Sequence, residues 1–410
     1  MSRPTSLYIS YDGLLEPLGQ SQVLPYVEGL ADTGIAFVLL TFEKPADLAQ
    51  RADVARLRER LAVRDIRWVP LRYHKTPSGP ATAWDILCGA SVAAWLACRV
   101  RVRVIHCRSY VPGLMGLVAR VLARARFIFD MRGFWPEERV EGGLWRPDSR
   151  AFRLAKRVER LLLRAADAVI VLTEPARRIL LGGAYREALS RRARVAVIPC
   201  CVDLERFAAA NVWETNPPPP GPRTLVYAGS VGTWYMLPEM LGFYLAVRAR
   251  DPELRLLILN RGGHDVIARA IAAAGADGVS VLASTPDEMP GHLSRAWAGI
   301  YFIKPVFSKQ GASPTKLGEY LAAGLPVVIN AGVGDTDELV AATGVGVVVE
   351  RFAREEYLAT WDALVAMAAD AGLRDRCRQT AQRTLALGGG VARYREVYSS
   401  LLAQPSEDGA

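Results

Sequence analysis

Short apolar runs recur along this chain, each followed by a stretch patterned for a helix, and the pattern breaks once and then restarts. Bounded in this way, the runs read as strands. Strands separated by helices favour a parallel sheet, because a parallel neighbour is reached only by carrying the chain back over the sheet. In the first half the expected strands are 7–10, 36–41, 66–70, 104–106, 127–130, 169–173 and 195–199. Helices are expected over 51–61, 82–99 and 113–123, and a loop over 11–20 leads into a helix that Gly34 stops.

The break is TNPPPPGPR at 215–223, where four consecutive prolines can continue neither a helix nor a central strand. Alternation resumes with strands at 224–228, 254–259, 279–282, 298–303, 326–329 and 345–349 and helices over 237–249 and 265–274. A chain of 410 residues exceeds what one core usually serves, which also points to two domains. The expected division is 1–214, a linker at 215–223, a second domain at 224–375, and a terminal helical stretch at 376–410 crossing back to the first domain. The Gly388–Gly390 run is expected to break that last helix. Two such α/β units imply a cleft between the carboxyl ends of their strands.

The opening MSRPTSLYIS lacks the basic-then-apolar order of a signal peptide. No apolar run approaches the ~20 residues of a spanning helix; the best, 87–98, reads as a buried or surface-lying helix. The six cysteines show no metal spacing and are expected to be free thiols in a reducing compartment. Charge is asymmetric: residues 1–200 hold 32 Lys+Arg against 19 Asp+Glu, and the rest of the chain is net acidic. An anionic lipid surface, nucleic acid or an Arg-rich composition each explains this. No nucleic-acid motif supports the second. The candidate membrane surface is 51–75, with Trp68 and Tyr73, together with the helix at 82–99.

The most informative stretch is SPTKLGEYLAAGLPVV at 313–328. Ser313 is placed as an N-cap with Pro314 at the first helical position, and amides at such a helix start suit a phosphate. Lys316 falls in the first turn, where a cation is unfavourable unless something anionic lies nearby. Glu319 would point towards the cleft, and a carboxylate accepts from both hydroxyls of a ribose.

This run resembles the nucleotide-binding segment of the family 4 retaining glycosyltransferases, whose motif ends Glu–x–x–Ala–x–Gly–x–Pro–Val–Val. Glu319, Ala322, Gly324, Pro326, Val327 and Val328 match that ending. The resemblance implies that Glu319 holds the donor ribose, and that Lys316 with the Ser313–Pro314–Thr315 segment faces the diphosphate. The first loop, YDGLLEPLGQSQ, is similar to the family's loop beside the donor phosphates. There Gly13 and Gly19 would let the backbone approach a ligand, with Gln20 and Ser21 donating. RVERLLLRAADAVIVLTE, VAVIPCCVDLERF and LVYAGSVGTWYMLPEML resemble later family segments, the last placing Gly229 at the turn that opens the nucleotide domain. Within these, Glu159 reads as a helix-face charge and Asp203 as a capping residue.

The departures are specific. Many family members carry Glu eight residues before the second one; here that position is Gly311. The usual cations after the opening glycine are absent, with Ser230, Thr233 and Tyr235 in their place, so Arg261, Lys304, Lys309 and Lys316 become the candidates for the diphosphate charge. In FIFDMRGFWPEERVEGG, Arg132 stands near the family's His–Asp. Arg132 would bind a phosphate or acceptor anion, with Asp130 orienting it or meeting the acceptor hydroxyl, and Glu137 and Glu138 would line the site or cap the next helix. His106–Arg108–Ser109 is a second strand-end candidate, His106 reading more simply as a satisfied core histidine. No metal-ligand spacing is visible.

The fold implied is α/β, the GT-B arrangement of two Rossmann-like parallel-sheet domains facing a central cleft. The function implied is retaining, metal-independent transfer of a sugar from a nucleotide diphosphate, UDP favoured over GDP, to a glycan or lipid-linked acceptor in surface polysaccharide synthesis. Asp130, Arg132 and Lys316 are the expected catalytic groups, and no cofactor is expected beyond the donor. A sugar-nucleotide epimerase or hydrolase on the same architecture, or a non-catalytic nucleotide-sugar-binding module, remains open. The expected location is the cytoplasm, peripherally on the inner face of the cell membrane, without nucleic acid as a partner.

Overall fold

The structure is a computed structural model that describes residues 3–209 and 221–403. The chain divides into two compact units, 1–199 with 390–410, and 200–389. Of the expected linker, 215–220 lies outside the described residues.

The first unit holds β1 (Thr5–Ser10), β2 (Ala36–Glu43), β3 (Ile66–Arg72), β4 (Val104–Arg108), β5 (Arg126–Asp130), β6 (Ala168–Val171) and β7 (Arg194–Val197). All pair in parallel, in the order β3-β2-β1-β4-β5-β6-β7. Every residue of β4 is buried, as is every residue of β1 after Thr5, because helices cover both faces of the sheet. The register sets Ser10 beside Arg108 and Arg108 beside Asp130, so three polar residues end adjacent central strands.

The second unit holds β8 (Thr224–Ala228), β9 (Arg255–Leu259), β10 (Val279–Leu282), β11 (Ala298–Tyr301), β12 (Val327–Asn330) and β13 (Gly346–Val349). Their order is β10-β9-β8-β11-β12-β13, again wholly parallel. Its core includes Leu225, Ile258, Ile300, Val328 and Leu321.

Three expectations need correction. The helix at 82–99 is longer, Ser78–Arg99, and by length and composition it could cross a membrane. Asp85 interrupts its apolar run in sequence and so hid its extent. Ala81, Asp85, Gly89, Ala93 and Ala97, spaced by four, are buried in the first unit. Asp85 there accepts from the Tyr11 hydroxyl (2.8 Å) and the His74 amide (3.1 Å).

The second unit also extends beyond 224–375 at both ends. Val202 and Ala386 form a parallel bridge, with the Val202 amide donating to the Leu385 carbonyl (2.8 Å) and the Leu387 amide to the Val202 carbonyl (2.9 Å). The same pairing corrects the third expectation. The last helical stretch breaks at Ala386, drawn into extended backbone (ψ 136°), and not at the glycines, which lie within the Leu387–Leu402 helix. Glycine in a helix costs only ~1 kcal/mol, whereas the bridge takes Ala386 out of helical geometry altogether.

From Gly390 onward that helix belongs to the first unit. Tyr398 bonds His106 Nδ1 (2.9 Å) and Ser6 (3.2 Å), and the Tyr394 hydroxyl donates to Asp130 Oδ2 (2.8 Å). A side chain at Gly29 would meet Val391 at 2.8 Å, so a glycine is needed where this helix passes. Burial alone would raise the Asp130 carboxyl, but the charge of Arg132, with His106 and Arg108, holds it down at about 2. A depressed carboxyl stabilises the fold above its unfolded value of 3.8, and the contribution is lost as pH falls through about 2. Tyr394→Phe is expected to cost about 1.5–3 kcal/mol in urea unfolding and to shift acid unfolding to higher pH. An unchanged urea midpoint would show that the helix is held by apolar packing alone.

Candidate active site

In both sheets successive strands are added to one side of the first strand and then to the other, which opens a crevice at the carboxyl ends of β1 and β4, and of β8 and β11. The candidate residues gather at these two switch points.

In the second unit β8 runs into Gly229, whose φ of 135° is open to glycine and few other residues. A side chain there would come within 2.8 Å of Lys316 Nζ. Lys316 is buried, with Nζ 3.5 Å from the ring centre of Tyr235, 4.5 Å from that of Tyr227 and 5.7 Å from that of Tyr301. Burial pushes its amine well below the usual lysine range, against the pull of Glu319. The ammonium is therefore cradled by ring faces, without a carboxylate in hydrogen-bond contact among the described residues. Glu319, one turn on, is half-buried; burial raises its carboxyl, opposed by Arg206 and Lys316. Its side chain makes no hydrogen bond among the described residues, leaving both oxygens able to accept.

The helix carrying both, Thr315–Ala322, is fixed at each end by its sequence. Ser313 is not its N-cap. Pro314 takes that position (ψ 117°), and the Ser313 hydroxyl instead accepts the Cys200 amide (3.1 Å). At the other end Gly324 turns left-handed (φ 73°), with Leu325 donating to Tyr320 (2.8 Å) and Gly324 to Leu321 (2.9 Å), a Schellman stop that Pro326 makes final. The Tyr320 hydroxyl accepts the Ala228 amide (2.7 Å), and its ring lies where a side chain at Gly299 would be. The Ala–x–Gly–x–Pro spelling thus encodes the turn, and Tyr320 locks the helix onto β8.

Pro314 and Thr315 sit half-buried at the helix start. Arg261 and Lys304, just past β9 and β11, are exposed and have no ion-pair partner among the described residues. Lys309 is buried with Nζ 3.8 Å from the centre of the Trp234 ring. Gly311 is buried at the end of the 3-10 turn Phe307–Gly311.

In the first unit the glycine loop folds on itself. A side chain at Gly13 would meet the Glu43 carboxylate at 2.5 Å, and one at Gly19 the Gly13 carbonyl at 2.0 Å. These glycines are required by the loop's own packing. Gln20 donates to the Leu14 carbonyl, and Ser21 to that of Pro17 one turn back on the same short helix. Glu43 secures the loop: it accepts from the Leu14 amide (2.8 Å), the Leu15 amide (3.3 Å) and the Thr41 hydroxyl (2.6 Å).

Asp130 is wholly buried, which leaves it the role of orienting Arg132 (3.8 Å) and no face for an acceptor. Arg132, at φ 61°, stands just past β5. Arg108, almost fully buried, reaches Asp12 (3.3 Å). His106 is completely buried, and burial lowers its pKa, opposed by Asp130. Asp203 accepts the Glu205 amide (3.0 Å), a local cap.

Sequence reasoning missed several partners. Glu159 is not a helix-face charge: it is buried, accepting from Tyr110 (2.7 Å) and Lys156, which also reaches Glu137 (2.7 Å). This cluster ties the Trp135–Glu141 helix, which follows Arg132, to its neighbour. Its i, i+3 Lys156–Glu159 spacing was visible, but burial was not. Nothing in sequence singles out Glu43 or the three tyrosines around Lys316, since lone polar and aromatic residues at strand ends are common. Among the described residues no group of three or more His, Cys, Asp or Glu is placed to hold a metal ion.

Glu43→Gln keeps the side-chain length but replaces one acceptor oxygen by a donor facing a loop amide. It is expected to cost about 1.5–3 kcal/mol and to speed hydrogen exchange at Leu14 and Leu15 on the order of tenfold or more. Exchange at those amides equal to wild type would show that the loop is held by other contacts.

Residues 19–201 match the family profile described as a glycosyl transferase 4-like domain. No curated protein matches the chain in sequence. Among solved structures, a sucrose-phosphate synthase from Thermosynechococcus elongatus is similar over 98% of this chain and 100% of its own, with TM-score 0.73 and 18% identity. A glycosyltransferase from Rickettsia africae is similar over 99% and 100%, with TM-score 0.70 and 15% identity. HepE from Anabaena, solved in complex with UDP and glucose, is similar over 96% and 99%, with TM-score 0.64 and 14% identity. At these identities the structural likeness establishes the fold, two parallel-sheet α/β units in the GT-B pattern. The profile match across nearly all of the first unit identifies there a glycosyl transferase 4-like domain, and the whole chain carries the fold of the glycosyltransferases to which it is similar.

Proposed function

We propose that this glycosyltransferase moves a sugar, with retention, from a UDP-linked donor held by the second unit to a hydroxyl of a glycan or lipid-linked acceptor held by the first. The observation that carries the reading is the pairing on one short helix, at the switch point of the second sheet, of a desolvated lysine and an uncommitted carboxylate. Glu319 is assigned to the ribose diol. Lys316 is assigned to the diphosphate, where an arriving anion supplies the counter-charge that its ring cradle lacks. Arg261 and Lys304 extend that field from the neighbouring strand ends.

In this reading the residues act by positioning and by stabilising charge on the departing diphosphate. The departing phosphate oxygen takes the acceptor proton, so a carboxylate at Gly311 is not required, and the cations named here meet the diphosphate charge without a metal. UDP is preferred over GDP because HepE, with a similar fold, was solved with UDP. A role in surface polysaccharide synthesis on the cytoplasmic face of a membrane is proposed on the strength of the basic first domain.

The test is calorimetric titration with UDP and with GDP. UDP is expected to bind, and Glu319→Ala to weaken it on the order of 10–100-fold, as loss of charged hydrogen bonds does. Binding of neither nucleotide to the folded protein would remove the donor site as assigned. Lys316→Ala is expected to lower kcat on the order of 100–1000-fold with a smaller effect on KM. UDP-sugar binding without turnover by the wild type, across lipid-linked and free glycan acceptors, would instead assign a binding module.

A further inference from the structure

Three helices of the first unit, Ser78–Arg99, Tyr110–Ala123 and Arg150–Ala165, lie side by side. Each turns large apolar side chains outward: Trp84 and Trp95 on the first, Val121 and Leu122 on the second, Leu154 and Leu161 on the third. Trp95 is 57% exposed and Val121 70%, more than packing against their own unit would leave. The charge on this face has one sign. The only acids on the three helices are Asp85 and Glu159, each 1% exposed and each engaged inside the unit. Arg153, Arg157, Arg160 and Arg164 are exposed and form no ion pair among the described residues.

Where the first two helices end, the chain turns through Arg101 (φ 50°) and Arg124 (φ 51°). A hollow of about 920 Å³ lies there, lined by Arg101, Arg103, Arg120, Arg124 and Arg126, with Asp167 as its one acid. Asp167 is engaged by Arg126 (3.4 Å). Val121 and Leu122 form part of the same wall, so the basic hollow and the apolar ridge are continuous.

In the 51–75 segment, considered from sequence together with the helix at 82–99, several side chains are committed internally. Arg60 pairs with Glu28 (2.6 Å), Arg64 with Asp32 (3.1 Å), the Trp68 indole donates to Thr41 (2.8 Å), and Tyr73 packs on Tyr11.

A nucleic-acid surface would pair arginine with phosphate and gains nothing from exposed Leu and Val. A protein partner would be expected to meet acids as well as bases. Exposed tryptophan and aliphatic side chains bordered only by arginine match the boundary of an anionic bilayer, where the rings sit among headgroups and the guanidinium groups meet phosphate. We propose that this three-helix face docks the first unit onto an anionic phospholipid bilayer, the ridge entering the headgroup boundary and the arginine hollow taking lipid phosphate. The inner face of the Ser78–Arg99 helix is buried in the unit, so the helix lies on the bilayer and does not span it. The bilayer supplies a lipid-linked acceptor only under the transferase reading above; docking itself does not depend on it.

The test is sedimentation of the full chain with vesicles of phosphatidylglycerol and phosphatidylcholine, against phosphatidylcholine alone, at low and high salt. UDP binding is measured in parallel, so that failure of the donor site and failure of the surface are read separately. Sedimentation is expected with the anionic vesicles only, falling as salt rises. Arg101→Gly/Arg124→Gly removes two charges at positions whose backbone already suits glycine, and is expected to weaken partitioning on the order of 30-fold with UDP binding unchanged. Trp95→Ser is expected to weaken it as well and to reduce the blue shift of tryptophan emission on vesicles, with Trp84 keeping the remainder. No sedimentation with anionic vesicles at low salt overturns the proposal. So does sedimentation that both variants leave unchanged, or salt-dependent binding of an RNA oligomer without vesicle binding.

Discussion

A carboxylate without access to water ties the end of the chain to its beginning. Asp130 accepts from Tyr394, 264 residues further on, while Arg132, Arg108 and His106 surround it. A buried charge is tolerated only when its partners are in place, so the contact is effectively all or none. It closes the first unit, which cannot be assembled from 1–199 alone. It also sets what Arg132 can do, because the orienting carboxylate beneath it is held in place by a helix from the other end of the sequence.

The second unit works by the opposite device. Its central cation is left short of counter-charge. The loop after β8, Gly229 to Leu237, carries no Lys or Arg and brings Tyr235 over Lys316. An ammonium against ring faces is attracted to them but keeps its net charge uncompensated. The deficit is what an arriving diphosphate relieves in the proposed reaction. Gly229 keeps the approach to the amine clear of any side chain of its own.

Much of the fold was legible because it rests on local pattern. The thirteen strands among the described residues fall where the apolar runs place them, within a few residues, since the central strands, covered on both faces, are apolar almost throughout. The helix with Lys316 and Glu319 was legible for a related reason: Gly324 and Pro326 can serve few other turns. What stayed hidden was pairing over long range. Ser313 reads as a cap until Cys200 claims its hydroxyl, and nothing local shows that Gly13 and Gly19 pack against Glu43 and the Gly13 carbonyl. Glu159 reads as a surface charge because helical spacing does not reveal which face is covered.

The sequence by itself determined the two parallel α/β units, the break between them and the helix that carries Lys316 and Glu319. These follow from hydrophobic periodicity and from glycine and proline geometry, which act within a few residues. Only the tertiary structure decided that Asp130 is an anchor, that Lys316 sits among three tyrosines, and that the helix at 78–99 shares one basic, apolar face with two others. Burial and electrostatic partnership depend on distance in space, and a parallel sheet joins residues that the sequence keeps far apart.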